Sequence, residues 1–545
     1  MSRFVAAPFL GLCLLLSQGG AGCGATPGAS PPSPTSASTN GAGPALTGRV
    51  PEPRDSVGIT DPTGLMSDPV EYRAQPVSAA AGRTYFMKTG VGDPYAAGIA
   101  YPVFLALQKR YPRKLGRDWN EFNGKFGTFA DPKLAKDGTS LPIGFHLTTD
   151  PNTGVKFLMM NCQVCHTGRL RLPGGDRLVS GLGNKRLRIH SYGRALLDIA
   201  ADDTLSAERT VVSASKIARA RSLRWPQHFA GTIVANTFKE LRRRSKAVRK
   251  QVHQLGAELP GRVATVSGFT MAINVRYHSK LPLPKVTGWV KIPDVAVWRY
   301  RDTNSYDGMV VGSPVTLIAE ADFAFGVRPR WYNSHRHIPT SIYLFMKKFR
   351  RKLPFPGKVD LGRARAGYAL FNRSCAKCHG TYAPPGTPHD KQFVIYKERL
   401  ISEHEVDTDA ARLNAVTPAF IKAANEPLAT KGLTHARITR SYVPRPLVNV
   451  WVRGLYGHNG QWPSLAVLAT PPNKRPRTFI VDTNAPYDLK NVGSGWRPYK
   501  KGQALKAGQY IYDGTKPGFL VKGHEFLSRL PAAEKRAVME YLKTI

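Results

Sequence analysis

The chain has 545 residues, with 78 basic against 37 acidic side chains, a formal net charge of +41 and six cysteines. Its content of 42% hydrophobic and 10% aromatic residues excludes a disordered chain, and the length implies two or more packed domains. A charge this basic raises nucleic acid as a partner, but the export features below argue against it. An anionic envelope surface, an acidic electron donor, solubility or a general basic bias then remain as its meaning.

In chain order, Arg3 precedes an apolar run at residues 4–16 that contains Cys13, and residues 17–25 are small or polar. The run is shorter than the roughly 20 residues of a spanning helix, so residues 1–22 are expected to be an export signal. Cys23 follows Gly20, Ala21 and Gly22. This resembles a bacterial lipoprotein cleavage site, although Gly20 stands where leucine is usual, and it makes Cys23 the expected lipidation site. Residues 23–50, rich in Ala, Gly, Pro, Ser and Thr, form an expected flexible tether. Together these features place the protein in the periplasm or cell envelope, held to a membrane by lipid.

The segment 51–352 holds the first of two pentapeptides, Cys-Gln-Val-Cys-His, with Cys162, Cys165 and His166. C-x-x-C-H is the attachment sequence of a c-type haem. The two thiols bond the haem's two vinyl groups, and the histidine that follows at once supplies an axial nitrogen to iron. Further on, Val234, Phe238, Leu241, Val248, Val252 and Leu255 recur at helical spacing. Arg242, Arg243, Arg244, Lys246, Arg249 and Lys250 flank this stripe, as a solvated face or a docking site.

A boundary is expected at residues 353–357, where two prolines and a glycine break the chain. Residues 360–374 then form a helix, with Leu361, Ala364, Tyr368, Leu370 and Phe371 apolar, that leads into the second pentapeptide, Cys-Ala-Lys-Cys-His, with Cys375, Cys378 and His379. A last helix follows Pro531 and buries Val538, Met539, Tyr541, Leu542 and Ile545. Helix, C-x-x-C-H, irregular middle and terminal helix is the layout of a cytochrome c domain, here 353–545, in which the first and last helices cross. Two covalently bound haems use four cysteines, Cys13 and Cys23 fall in the signal region, and no cysteine is left for a disulfide.

A haem iron with one histidine keeps one position that a second ligand fills or an oxidant occupies. After Cys378 the one methionine is Met539, expected in the core, so the second haem takes a histidine or stays open. Of His389, His404, His435, His458 and His524, the last is favoured, because it sits in a loop before the terminal helix and Gly523 permits close backbone approach. His458, in a turn sequence, is read as a hydrogen-bonding residue. For the first haem, Met271, Met309, Met346, His190, His228, His253, His278, His335 and His337 are available, and spacing selects none.

Several phrases together resemble the di-haem c-type cytochromes related to rubber oxygenases, in the wider superfamily of bacterial di-haem cytochrome c peroxidases. They are Leu141-Pro-Ile-Gly-Phe145, the segment 161–168 around the first motif, Leu172-Pro-Gly-Gly175, the helix 186–199, Tyr456-Gly-His-Asn-Gly460 and its continuation to Leu465, the segments 471–479 and 487–492, and Gly523-His524. The resemblance spans roughly residues 95–200 and 290–545. It implies a mainly α fold of two cytochrome c-like haem domains, 51–352 and 353–545, with long, largely irregular insertions and little β structure. It further implies that His166 is the proximal ligand of an O2- or peroxide-facing haem, that His379 and His524 are the axial pair of the other, and that a tryptophan relays electrons between them. Trp298 is the nearest match for the relay and Trp289 the second, with a packed core tryptophan the weightier reading. Lys185, Arg186 and Arg188 depart from the family pattern and leave the substrate open. Two functions therefore stand. One is an oxidoreductase reacting O2 or peroxide at the first haem, served by a redox partner protein or a small-molecule oxidant. The other is a pure electron carrier with both irons six-coordinate.

Overall fold

The computed structural model describes residues 77–545 apart from 91, 93, 132–139, 304, 313–334, 352, 389–390 and 429–433. The described residues all fall within one compact unit, Gly48–Ile545. The expected export signal, Cys23 and the tether lie outside the described residues, as does His389.

The helix Ala79–Lys88 opens the described chain, capped by the Ser78 hydroxyl, which accepts from Ala81 N. It packs on the helix His337–Lys348 at Gly82, where a Cβ would come within 1.8 Å of the Ser341 carbonyl oxygen. The helix Tyr101–Arg110 is buried over eight of its ten residues and sits at the centre of an aromatic core with Trp119, Phe122 and Phe126. Beside it, the strand Lys156–Met160 runs between Ile99–Ala100 and Phe145–Thr149 in a three-stranded antiparallel sheet.

The helix Gln227–Gln254 carries the stripe predicted from spacing. Val234, Phe238, Leu241, Val248, Val252 and Leu255 are all buried; full burial of such a side chain contributes roughly 1.5–3 kcal/mol. The flanking basic residues are partly engaged within the chain. Arg243 and Arg244 pair with Glu240, Arg249 with Asp198, and Arg242 donates to the Leu205 carbonyl.

In the C-terminal part, the helix Leu361–Ser374 is capped by Asp360, whose carboxylate accepts from Arg363 N. It crosses the terminal helix Ala532–Leu542 at Gly367, where a Cβ would lie 1.9 Å from the Ala537 carbonyl oxygen. Phe371, Val538, Tyr541 and Leu542 fill the crossing, with Met539 at its edge. Leu361, placed on the apolar side by the spacing, is instead exposed. The same core takes Leu170, Val179 and Leu182 from the first half of the chain, and Tyr487 N donates to the Arg171 carbonyl at 2.7 Å. The sequences on either side of residues 353–357 therefore share one packed interior.

The expectation of a mainly α fold with little β structure and two cytochrome c-like domains is overturned. Sixteen strands form seven small antiparallel sheets among the described residues. The longest hairpin pairs Thr167–Leu172 with Gly175–Ser180 directly after the first C-x-x-C-H motif. A second sheet sets Thr478–Asp482 between Trp496–Pro498 and Gln509–Asp513. The insertions expected to be largely irregular carry, besides the expected helix Gln227–Gln254, the helices Ala207–Ala220, Thr265–Tyr277 and His337–Lys348. The strands have two to six residues each, too short for alternation to show against background, and tertiary packing supplies the stabilisation that local propensity does not.

Candidate cofactor-binding sites

The first motif follows a strand. After Lys156–Met160 the chain turns at Asn161, whose side-chain oxygen accepts from Gln163 N at 3.0 Å, and Cys162–Val164 form a single 3-10 turn. The turn is pressed against Gly144, where φ is +90° and a Cβ would meet Val164 N at 2.2 Å. Only glycine tolerates that backbone and that contact. His166 N donates to the Cys162 carbonyl at 2.9 Å, which places the histidine one turn beyond the first thiol.

The His166 imidazole is fixed through Nδ1, which lies 3.1 Å from the Pro293 carbonyl oxygen. Donation there fixes the tautomer and leaves Nε2 as the ligating nitrogen, the usual arrangement of a metal-binding histidine. Burial lowers the His166 pKa to about 4, so the ring is neutral near pH 7. The Phe86 ring packs on it at 6.2 Å. Cys162, Cys165 and His166 open on a cavity of about 820 Å³ whose walls include Phe86, Phe145, Tyr192 and Leu196.

The second motif follows a helix. Leu361–Ser374 runs into Cys375, and Ala376–His379 adds one further turn. His379 N donates to the Cys375 carbonyl at 3.0 Å. The His379 Nδ1 lies 2.9 Å from the Arg445 carbonyl oxygen, repeating the arrangement at His166. Tyr382 braces the motif by donating its hydroxyl to the His379 carbonyl while accepting from Leu447 N.

His524 faces His379 across the second cavity, which holds about 260 Å³ and also takes Cys375, Cys378 and Trp462 into its walls. The two ring centres are 6.0 Å apart. Two imidazoles bonding one iron from opposite sides need about this separation, since each nitrogen–metal bond is about 2 Å and each ring centre lies about 1 Å further back. Desolvation, reinforced by His379, lowers the His524 pKa to about 3. His524 has φ +49° and its N–H donates to the Val406 carbonyl at 2.8 Å. Gly523 does allow close approach, but to backbone: a Cβ there would lie 2.3 Å from the Asp407 carbonyl oxygen.

The two cavities share a wall. Along residues 290–298, Val290, Pro293, Val295 and Trp298 face the first cavity, Lys291, Asp294 and Val297 the second, and Ile292 both. Trp298 has its Nε1 buried with no hydrogen-bond partner. Trp289 lines neither cavity and packs edge-on to His190 at 5.4 Å.

No protein-family model matches the chain. Two proteins of Sinorhizobium fredii (strain NBRC 101917 / NGR234) match parts of it. "Uncharacterized protein y4iJ" is 34% identical over 114 residues, 19% of this chain and 18% of that protein. "Uncharacterized protein y4iM" is 28% identical over 188 residues, 31% of this chain and 43% of that protein. The chain thus covers less than half the length of either relative.

Of the residues offered for the position opposite His166, His190, Met271, Met309 and Met346 line the first cavity. The His190 Nε2 accepts from Ala264 N at 3.0 Å and is spent on that bond. Among the described residues no group of three or more His, Cys, Asp or Glu side chains converges on a metal-ion geometry. A haem iron takes four nitrogens from its ring and asks the protein for one or two ligands, which is what each cavity offers. His458, read as a hydrogen-bonding residue, lines the second cavity, stacks on Tyr442 at 4.9 Å and passes its carbonyl to Lys291 N. Sequence reasoning missed the carbonyls of Pro293 and Arg445, since a backbone acceptor leaves no mark on residue type.

Proposed function

We propose that this protein is an exported di-haem c-type cytochrome, related to the rubber oxygenase-like branch of the di-haem cytochrome c peroxidases. In this reading Cys162 and Cys165 tether one haem, Cys375 and Cys378 the other, and His166 and His379 are the proximal ligands. One observation carries the reading: each C-x-x-C-H histidine has its Nδ1 held by a backbone carbonyl at the wall of an apolar cavity. Held in that way through Nδ1, each histidine keeps Nε2 for a metal.

We further propose an oxidoreductase in which O2 or peroxide reacts at the His166 site and the His379–His524 site passes electrons. When bound, haem iron supplies one-electron and oxygen chemistry. The residues around it orient the ligands, keep His166 neutral and exclude water with apolar walls. A volume of about 820 Å³ around one histidine supports reaction at the first site. A redox partner protein or small-molecule oxidant, a lipid anchor at Cys23 and no nucleic acid complete the reading. Haem-stained denaturing gels with iron counted per polypeptide test it: two acid-stable haems are expected, and one or none overturns it.

A further inference from the structure

Six of the cations that line the cavities stand out: Lys185, Arg262, Lys291 and Arg453 line the second, Arg412 the first, and Arg445 both. Five are engaged with the chain. Lys185 donates to the Val452 carbonyl at 3.2 Å, Lys291 to the Leu455 carbonyl at 2.6 Å, and Arg262 to the Asn459 and Pro260 carbonyls at 2.9 and 2.7 Å. Arg412 pairs with Asp307 at 3.1 Å and Arg453 with Asp294 at 3.3 Å. Asp294 is further occupied by Arg351.

Arg445 differs from all of these. Its Nε and both terminal nitrogens are buried, and none has a hydrogen-bond partner. The guanidinium rests 3.9 Å above the centre of the Tyr306 ring, which it meets as a cation–π contact. Arg445 lines both cavities, and its own carbonyl oxygen holds His379 Nδ1 at 2.9 Å. A buried guanidinium with five donors and no acceptor is unfavourable until an anion meets it. Its planar fork matches a carboxylate in two-point contact.

We propose that Arg445 binds carboxylate groups of the cofactors in both cavities, and so raises the reduction potential of both. The inference rests on the di-haem reading, since each haem carries two propionate carboxylates. A fixed positive charge near an iron favours the reduced state, which carries one positive charge fewer than the oxidised state. One guanidinium reaching both cavities ties the two potentials to a single side chain.

The test uses the full haem-loaded chain with Arg445→Gln and Arg445→Lys, read by spectroelectrochemical titration with haem content measured in parallel. Both replacements keep the backbone carbonyl that orients His379. Arg445→Gln should retain two covalent haems and lower both midpoint potentials. Arg445→Lys, which keeps the charge and loses the fork, should lower both by less; it also carries the test if the glutamine variant fails to fold. A shift at one haem only, or at neither, overturns the proposal. A wild-type potential that moves with phosphate at constant ionic strength assigns the site to a free anion and overturns it as well. Wild-type protein without haem would overturn the di-haem reading itself, an outcome separable from the others because it appears before any substitution is made.

Discussion

The same pentapeptide pattern sits on two different scaffolds in this molecule. At residues 162–166 a strand leads into the motif, whose first three residues form a 3-10 turn, and a hairpin leads away. At residues 375–379 a fourteen-residue helix leads in and the terminal helix crosses behind. Both scaffolds nevertheless deliver a partly buried histidine to a cavity with its Nδ1 on a carbonyl. What differs is the far side: a second histidine stands 6.0 Å away across the smaller cavity, while the larger one is lined by apolar side chains together with Glu240, Arg243 and Arg276. In the proposed reading the same pentapeptide holds the same kind of cofactor at both places, and what differs is its surroundings.

The largest expected effect comes from removing the tethers. Replacing Cys162 and Cys165 with alanine should halve the covalent haem per chain, and so should replacing Cys375 and Cys378, as counted by iron and haem stain. Equal loss from both pairs would show that the two scaffolds are equivalent for attachment; a pair whose loss changes nothing would remove its site from the comparison.

Ligand substitutions come next. His524→Ala should convert one low-spin haem to high spin and leave the other unchanged in the electron paramagnetic resonance spectrum. Cyanide or imidazole should then separate the cavities in the wild type by perturbing one haem only, with replacement of His166 abolishing that response. Binding of the added ligand at the His379 haem would reverse the assignment of closed and open sites.

The helix crossing at Gly367 belongs to the second scaffold alone. Gly367→Leu drives a side chain into the Ala537 carbonyl and should cost about 3 kcal/mol in unfolding free energy, measured by denaturant titration. The expected effect at Gly193, in the helix beside the first cavity, is smaller, because a Cβ there meets nothing within 4 Å. Gly193→Ala in that helix should be stabilising by about 1 kcal/mol.

A further effect concerns pH. His458 is buried at the second cavity, and desolvation lowers its pKa from 6.5 to about 3. The unfolded chain binds a proton there first as pH falls, so the stability contribution is complete above pH 6.5 and is lost progressively toward pH 3. His458→Asn should flatten the pH dependence of unfolding over that window, and an unchanged slope would assign the dependence to other groups.

The sequence by itself determined both pentapeptides, the stripe on Gln227–Gln254, the helix entering Cys375 and the terminal helix, because each is written in local spacing. His524 was singled out by its glycine and its place before the final helix, and its ring lies 6.0 Å from that of His379, although Gly523 proves to serve the backbone of Asp407 and Thr408. Only the tertiary structure decided the small sheets, whose strands are too short to carry a period and which form where packing brings their partners together. It alone brought Pro293 to His166 and Arg445 to His379, across 127 and 66 residues of chain. It also set Trp298 on the wall of one cavity and Arg445 on the wall of both, since burial and the absence of a partner are properties of a packed interior and not of residue type.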